Sequence, residues 1–265
     1  MLFLYHLPNW LLAVCIVGAV LALAYPGYVL IHRLWRRSFT EAETNVSMAV
    51  LNVIATVYAL LLAFVAVTVW QSFGAAETAV VNESNSVGEL ARALSLFDSP
   101  QARQARGTLR EYADVVVTVE WSEMRQGQSS TEAWDAFDRM FHAVGQLEPD
   151  TPRRAALMPE IWSAANDVLS ERRTRLHAAD AKVPATLWMV VLIGSALTIG
   201  TTAVLSPSRF SLWIIGLLAM SMGLVFFLIV VMDRPFTGEE SIGPAPFHTA
   251  IENMDRWDAQ YAHAK

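Results

Sequence analysis

Charge is scarce in this sequence. Only 17% of the residues are Asp, Glu, Lys or Arg, whereas a typical soluble domain has about 25%. The deficit is local, because long uncharged stretches alternate with segments of ordinary polar composition. Cysteine is scarcer still, since Cys15 is the single one in 265 residues. A disulfide framework and a cysteine-based metal site within one chain are therefore excluded.

Motifs that carry chemistry are also missing. The six histidines are scattered without the spacing of a metal-binding HExxH pair, and no GxSxG, GxxxxGK[ST] or GxGxxG pattern occurs. A catalytic site needs a nucleophile, a base and orienting groups that converge, and no such set stands out. Acids and bases are interspersed at a net charge of −6, without the basic patch typical of nucleic-acid binding. We therefore expect no enzyme activity, no cofactor and no nucleic-acid partner.

The uncharged stretches are long enough to cross a membrane. A spanning helix takes about 20 apolar residues, and four runs without Asp, Glu, Lys or Arg reach that length, at residues 10–31, 46–70, 184–205 and 212–232. The first run has no basic segment before it and is longer than the core of a signal peptide, so we interpret it as a membrane helix. The pattern predicts four membrane-spanning helices.

Residues 75–183 have a different, polar composition with apolar residues at helical spacing, such as Val80, Val87, Leu90 and Leu94. Clusters of turn and capping residues, FDSPQ, RQGQSS and EPDTP, separate the helices. No proline or glycine separates Trp70 from Gly74, so the second span is expected to run on into this region. We predict an all-α membrane protein with spans 1 and 2 in residues 1–74, a helical extramembrane domain in 75–183, spans 3 and 4 in 184–233, and a tail in 234–265.

The second span carries a stripe of small and polar residues at spacings of four and three: Asn52, Thr56, Ala59, Ala63 and Ala66. Small residues let helix backbones approach closely, but polar or apolar rows also line pores, and spacing alone leaves both interpretations open. A neighbouring row of Thr56, Leu60 and Phe64 could close a pore by excluding water, or could face lipid.

A polar patch follows the second span. Glu77 precedes the segment NESNSVGEL, in which Asn82, Glu83 and Asn85 are prominent. These residues could line the mouth of a pore or coordinate a cation, although a solvated junction would have the same composition. Acidic rings at such a mouth would favour cations.

Four segments resemble the bacterial bestrophin-like membrane proteins, a family first described as a domain of unknown function: YALLLAFVAVTVWQSF, NESNSVGEL, LREYADVVVTVEW and DRPFTGEESIGPAPF. The order of two spans, a helical domain, two spans and a DRPFxGxxxxxPxPF tail is also similar to that family. The resemblance covers nearly the whole chain and implies a remote relation to bestrophin ion channels. In that likeness Thr56, Leu60 and Phe64 fall at the hydrophobic neck of the pore, where Thr56 is unusually polar.

The segment DRPFTGEE is similar to the bestrophin Asn-Pro-Phe-Gly segment, which precedes a calcium-binding acidic cluster in animal channels. Arg234 replaces the asparagine and Thr237 is inserted before the glycine. Calcium takes about six to eight oxygen ligands, so Asp233, Glu239 and Glu240 make a weak candidate site.

The stop at DRPF also has a simpler cause. Asp233 and Arg234 are the first charges after the uncharged run, and charge is costly inside a bilayer. Pro235 has no N–H with which to continue the helix. The resemblance adds that the chain turns here towards a neighbouring subunit, so we expect Asp233, Arg234, Pro235 and Phe236 to form a clamp at a subunit junction.

The resemblance implies a homo-oligomeric, pentameric ion channel of a bacterial inner membrane, with the second span around the pore. Its partners would be the lipid bilayer, inorganic ions and further copies of the chain. Arg33, Arg36 and Arg37 would place the first loop inside by the charge rule, but basic residues near other span ends balance them. Bestrophins hold the large domain in the cytoplasm, and we expect the same here. The rival is a non-conducting membrane adaptor or sensor whose helical domain binds a protein.

Overall fold

The computed structural model describes residues 7–34 and 40–263. Arg36 and Arg37, which entered the orientation argument, lie outside them. The described chain forms nine α-helices, with a π-helical turn at Val116–Glu120 and a 3-10 turn at Thr202–Val204. No strand occurs among the described residues. The helices are α1 Asn9–Leu34, α2 Glu41–Phe97, α3 Pro100–Val115, α4 Trp121–Arg125, α5 Thr131–Gly145, α6 Pro152–Asp180, α7 Ala185–Thr201, α8 Arg209–Met232 and α9 Ala245–His263.

Four helical stretches are long and apolar enough to cross a membrane: Asn9–Arg33, Glu41–Phe97, Pro152–Val204 and Arg209–Met232. The prediction of an all-α protein with four membrane-spanning helices is confirmed. The chain divides into two compact units. We call Met1–Ser72 with Lys182–Arg234 the membrane unit, and Phe73–Ala181 with Pro235–Lys265 the helical unit.

Helix α2 is continuous over 57 residues and contributes to both units, as the lack of a break after Trp70 predicted. Its start is a capping box. The backbone N–H of Thr40 donates to Glu43 Oε2 at 2.9 Å, and the N–H of Glu43 donates to Thr40 Oγ1 at 3.3 Å. The helix ends at Phe97 before Asp98, whose φ of 43° breaks the helical path.

Each predicted break in the helical unit provides a helix cap. Ser99, Ser130 and Thr151 accept hydrogen bonds from backbone N–H groups three residues on, at 3.0, 3.3 and 3.3 Å. The helices that follow bury one apolar face each, and the shared core includes Leu90, Leu94, Phe97, Leu109, Tyr112, Phe137, Met140 and Ile161.

Close approaches in the membrane unit depend on glycine. A Cβ added to Gly223 of α8 would lie 2.9 Å from the Cα of Val17 in α1, and one added to Gly194 of α7 would lie 2.4 Å from the ring of Tyr58. The Tyr58 hydroxyl donates to the carbonyl oxygen of Val191 at 2.7 Å. Small residues at helix contacts therefore let neighbouring backbones and rings come close.

Replacing Gly223 by alanine should destabilise the membrane unit. The new Cβ would meet the backbone of Val17, which cannot move aside as a flexible side chain can. Overpacking of this kind costs about 1–3 kcal/mol, measurable by thermal or chemical unfolding of the purified protein in detergent. Gly200→Ala is the control, because nothing lies within 4 Å of a Cβ added there. Equal losses in the two variants would contradict the explanation.

Candidate functional site

One side of α2 packs inside the membrane unit. Tyr58, Leu62, Val65 and Val69 recur at spacings of four and three, and all four are buried. This is the spacing of a single helix face. They form a core with residues of α7 and α8, namely Val191, Met222, Phe226 and Ile229.

The opposite side of α2 is not covered by any described part of the chain. Leu60 is 58% exposed and Phe64 is 65% exposed, although both are large and apolar. Around them the apolar residues Val53, Val57 and Val67 are also exposed. In a protein that lies in a membrane, such a face meets lipid, another chain or the water of a pore.

Most of the predicted stripe lies on this uncovered side. Asn52, Thr56, Ala59 and Ala63 are exposed, whereas Ala66 is half-buried against the core of the membrane unit. The exposed members therefore do not serve helix packing within the described chain. The structure places Thr56, Leu60 and Phe64 together on one uncovered row.

The hydroxyl of Thr56 is satisfied within its own helix. Its Oγ1 donates to the carbonyl oxygen of Asn52 at 2.7 Å, and Thr68 makes the same bond to Phe64 at 2.8 Å. A hydroxyl that is already hydrogen-bonded is less costly in apolar surroundings than a free one. The polarity of Thr56 is thus compatible with an otherwise apolar row.

The residues predicted at a pore mouth separate into two groups. Glu77, Asn82 and Asn85 are exposed on the part of α2 that belongs to the helical unit. Glu83 is fully buried there. Its assignment to a mouth is wrong for this conformation, because a carboxylate enclosed in the core cannot contact a passing ion.

Glu83 belongs instead to a buried charge network of five side chains, all without solvent exposure. Arg175 donates from Nε to Glu83 Oε2 at 2.5 Å and from Nη2 to Glu120 Oε2 at 2.6 Å. Arg172 binds Glu120 with two parallel bonds of 2.9 and 2.6 Å. The Tyr112 hydroxyl donates to Glu83 Oε1 at 2.5 Å and accepts from Arg172 Nη1 at 3.2 Å.

The network is electrically balanced, with two carboxylates and two guanidinium groups. Taking each charge out of water is expensive, and mutual attraction compensates only when the geometry is good and hydrogen bonds are made. Burial acts to lower the pKa of Arg175, but the charges of Glu83 and Glu120 outweigh it and raise the pKa overall. Burial also raises the pKa of Tyr112 well above its usual value, with a further contribution from Glu83. Tyr112 therefore stays protonated and remains a donor.

Aromatic rings enclose both arginines. The guanidinium carbon of Arg172 lies 4.5 Å from the ring centre of Trp134, and that of Arg175 lies 5.4 Å from Trp121 and 5.8 Å from Phe247. A cation over an aromatic face is stabilised by the ring quadrupole, and more so where water is excluded. The rings also shield the network from solvent.

A π-helical turn brings Glu120 to the network. In the segment VVTVE, Val116–Glu120, the chain widens, and the N–H of Trp121 donates to the carbonyl oxygen of Val116, five residues back. Such turns accommodate one extra residue within a helix and often occur at functional sites. Here the turn is followed directly by Trp121 of α4, which packs on Arg175.

The C-terminal segment contributes to each unit separately. In the membrane unit, the carboxylate of Asp233 accepts a hydrogen bond from the N–H of Val183 at 2.6 Å. In the helical unit, Pro235 and Phe236 are buried, and Phe236 packs edge-on against Trp121 with ring centres 5.8 Å apart. These contacts lie within one chain, and the clamp at a subunit junction stays a prediction.

The weak calcium candidate is not assembled. Among the described residues, no three His, Cys, Asp or Glu side chains lie close enough together to hold a metal ion. The carboxylate of Asp233 already caps the N–H of Val183, which leaves it poorly placed to join Glu239 and Glu240.

A family sequence profile for the Bestrophin-like domain matches residues 18–247, which is most of the chain. The chain belongs to the bestrophin-like family. The resemblance predicted from the sequence motifs is thereby confirmed. A comparison with curated proteins found no significant match for this bestrophin-like protein.

Two solved structures share its fold. A point mutant of a bacterial bestrophin homologue from Klebsiella pneumoniae has a TM-score of 0.67 at 12% sequence identity, covering 91% of this chain and 97% of that chain. A second crystal structure, of a protein described as a membrane protein, has a TM-score of 0.66 at 11% identity with the same coverage. At such low identity the likeness shows the fold alone.

Sequence reasoning missed the charge network of this bestrophin-like protein, although a signal was present. Ile161, Ala165, Val168, Arg172 and Arg175 follow one another at spacings of four and three, and all five are buried. Two charges that continue an apolar helix face indicate a buried pair. Their position before the third span instead favours an interpretation as basic residues near a span end.

Removing one charge from the network should destabilise the helical unit strongly. Arg175→Met leaves Glu83 and Glu120 with a single buried cation, and an uncompensated buried charge costs about 3–5 kcal/mol. Chemical unfolding in detergent would measure the loss. Arg139→Met is the matched control, since the Arg139–Glu111 pair is exposed and should contribute at most about 1 kcal/mol.

The double variant Arg175→Met with Glu83→Met should recover part of that stability, because it leaves Arg172 and Glu120 as one neutral pair. If the double variant is less stable than Arg175→Met alone, charge balance is not what holds the network.

Proposed function

We propose that this bestrophin-like protein is a homo-oligomeric ion channel, a pentamer as the resemblance implies, with α2 of each subunit lining a central pore. The observation that carries the proposal is the uncovered side of α2 in the membrane unit, where Leu60 and Phe64 are exposed. Family membership supports a channel.

The composition of the uncovered side favours a pore over lipid. A face turned to acyl chains is uniformly apolar, because polar side chains at membrane depth are expensive. Asn52 is exposed on the same side as Leu60 and Phe64, and its side-chain amide carries most of the argument, because the Thr56 hydroxyl is already bonded within the helix. Around a central axis these polar groups would meet water, ions or a neighbouring α2.

The constriction is assigned to Thr56, Leu60 and Phe64, which lie one helical turn apart. A ring of Phe64 side chains narrow enough to exclude water would block ions by dewetting. A small rotation of α2 would move the phenyl groups away from the pore axis and open the path.

The channel is proposed to lie in a bacterial inner membrane with its helical unit in the cytoplasm. Glu77, Asn82 and Asn85, exposed on α2, would contribute to the mouth. Glu77 favours cations there, whereas animal bestrophins pass anions. Flux from liposomes under separate K⁺ and Cl⁻ gradients distinguishes the two selectivities.

The rival, a non-conducting adaptor, would place the stripe of α2 inside the bundle of its own chain. Asn52, Ala59 and Ala63 are exposed instead, which favours the channel. A reconstituted protein that assembles and passes neither ion would restore the adaptor.

A cysteine at position 60 should link subunits to one another. In a Cys15→Ser background, which removes the native thiol, Leu60→Cys places a thiol on the uncovered side of α2, facing the same residue of neighbouring subunits. Oxidation should give disulfide-linked dimers on a non-reducing gel. Leu62→Cys is the control, because Leu62 is buried within the membrane unit and should remain unlinked. Equal linking at both positions, or none at position 60, argues against a pore lined by α2.

Phe64→Ala should raise ion flux from liposomes by removing the bulk that excludes water. Phe210→Ala is the matched control, because Phe210 is 74% exposed on α8, away from the proposed constriction, and its loss should leave the flux unchanged. Both variants should keep the oligomeric size of the parent. If the parent conducts and Phe64→Ala conducts no faster, the constriction is elsewhere.

A further inference from the structure

Five arginines line a groove in the helical unit. It encloses about 890 Å³ beside the end of α2, α3, the start of α6 and α9. The charged residues that line it are Arg103, Arg106, Arg110, Arg153, Arg154, Asp98 and Asp258. The lining therefore carries more positive than negative charge.

Helix α3 presents three of these arginines on one face, because Arg103, Arg106 and Arg110 are spaced by three and four residues. Gly107 lies among them and also lines the groove. Nothing lies within 4 Å of a Cβ added at Gly107, so the groove reaches the backbone of α3. A ligand can thus approach the helix between the guanidinium groups.

Arg106 is the unusual member. It is only 9% exposed, and its buried Nε has no hydrogen-bond acceptor among the described residues. A buried donor without an acceptor is costly and is rare in folded proteins. Arg106 forms an ion pair with Asp258 of α9, and that carboxylate leaves Nε unsatisfied.

Two further arginines of the groove, Arg103 and Arg153, are free to contact a ligand, whereas Arg154 is not. Arg103 is exposed and lies 3.6 Å from Asp98, a loose pair. Arg153 is exposed and forms no ion pair within the part of the chain that the structure describes. Arg154 is committed elsewhere, because its Nε donates to the carbonyl oxygen of Phe97 at 2.8 Å.

We propose that this groove binds a phosphorylated anion. Guanidinium groups match the oxygens of phosphate with paired, charge-assisted hydrogen bonds. Arg103, Arg106 and Arg153 would contact the phosphate, and Arg106 would gain the acceptor that its Nε lacks. The carboxylate of Asp258 already forms an ion pair with the Arg106 guanidinium, so it competes with the phosphate for that group. The groove belongs to the helical unit and the uncovered face of α2 to the membrane unit, and binding is measured without ion flux.

Isothermal titration of inorganic pyrophosphate into the full-length protein in detergent tests the proposal. Two variants are compared with the parent, one expected to weaken pyrophosphate binding and one expected to strengthen it. Arg103→Gln with Arg153→Gln should weaken binding at least tenfold, and both residues are exposed, so the fold should tolerate the change. Asp258→Asn should strengthen binding several-fold, because it removes the competing carboxylate. Each variant has a matched control that makes the same charge change outside the groove and should leave the Kd unchanged. The control for the arginine pair is Arg139→Gln with Arg173→Gln, and the control for Asp258→Asn is Glu111→Gln.

The source of the phosphate is decided by a second arm, in which the protein is offered lipid discs with phosphatidylinositol phosphate or with phosphatidylcholine alone. If the protein binds pyrophosphate but does not prefer discs with phosphatidylinositol phosphate, the ligand is a soluble phosphate compound. If it prefers those discs and does not bind pyrophosphate, the ligand is a lipid headgroup. Binding of neither probe overturns the proposal. Equal weakening by the control arginine pair, or no gain with Asp258→Asn, also overturns it.

Discussion

The helical unit depends on one balance of charge. Two carboxylates and two guanidinium groups are fully buried, at a desolvation cost that only their mutual hydrogen bonds can offset. Glu83 comes from α2, Glu120 from the π-helical turn, and Arg172 and Arg175 from α6. The three segments are far apart in sequence, so the balance exists only when all of them are in register.

This requirement fixes the rotation of α2 within the helical unit. The same helix supplies the uncovered face of the membrane unit, since α2 is unbroken from Glu41 to Phe97. Within the helical unit, Glu83 is held inward by Arg175, and successive residues of a helix turn by about 100°. The same register places Glu77, Asn82 and Asn85 on the exposed side of α2.

Periodicity and composition were sufficient to predict the spans, the helical unit and its caps. Uncharged runs of 20 or more residues have few structural solutions, and Ser99, Ser130 and Thr151 follow ordinary capping chemistry. The likeness of DRPFTGEESIGPAPF and its companion segments to a family was also reliable, because several long motifs occurred in one order.

The partners within the charge network could not be predicted, because pairing depends on tertiary register. The sequence prediction placed Glu83 at a pore mouth with Asn82 and Asn85, although Glu83 alone of the three continues the buried row of Val80, Val87, Leu90 and Leu94 at helical spacing. Glu120 reaches the network through a π-helical turn that an ideal period of 3.6 residues does not anticipate. What meets Leu60 and Phe64, which no described part of the chain covers, is likewise not a property of a sequence window.

The π-helical turn has a consequence for inheritance. It holds one residue more than the α-helical path would need, and the widened turn takes up that residue without changing the register on either side. Loss of a single codon within VVTVE would close the turn to ordinary α-helix and leave Trp121 and Met124 beside Arg175. Loss of a codon elsewhere in the same helix would instead rotate everything downstream by about 100°. Related chains can therefore differ by one residue within this segment more readily than in the helical turns beside it.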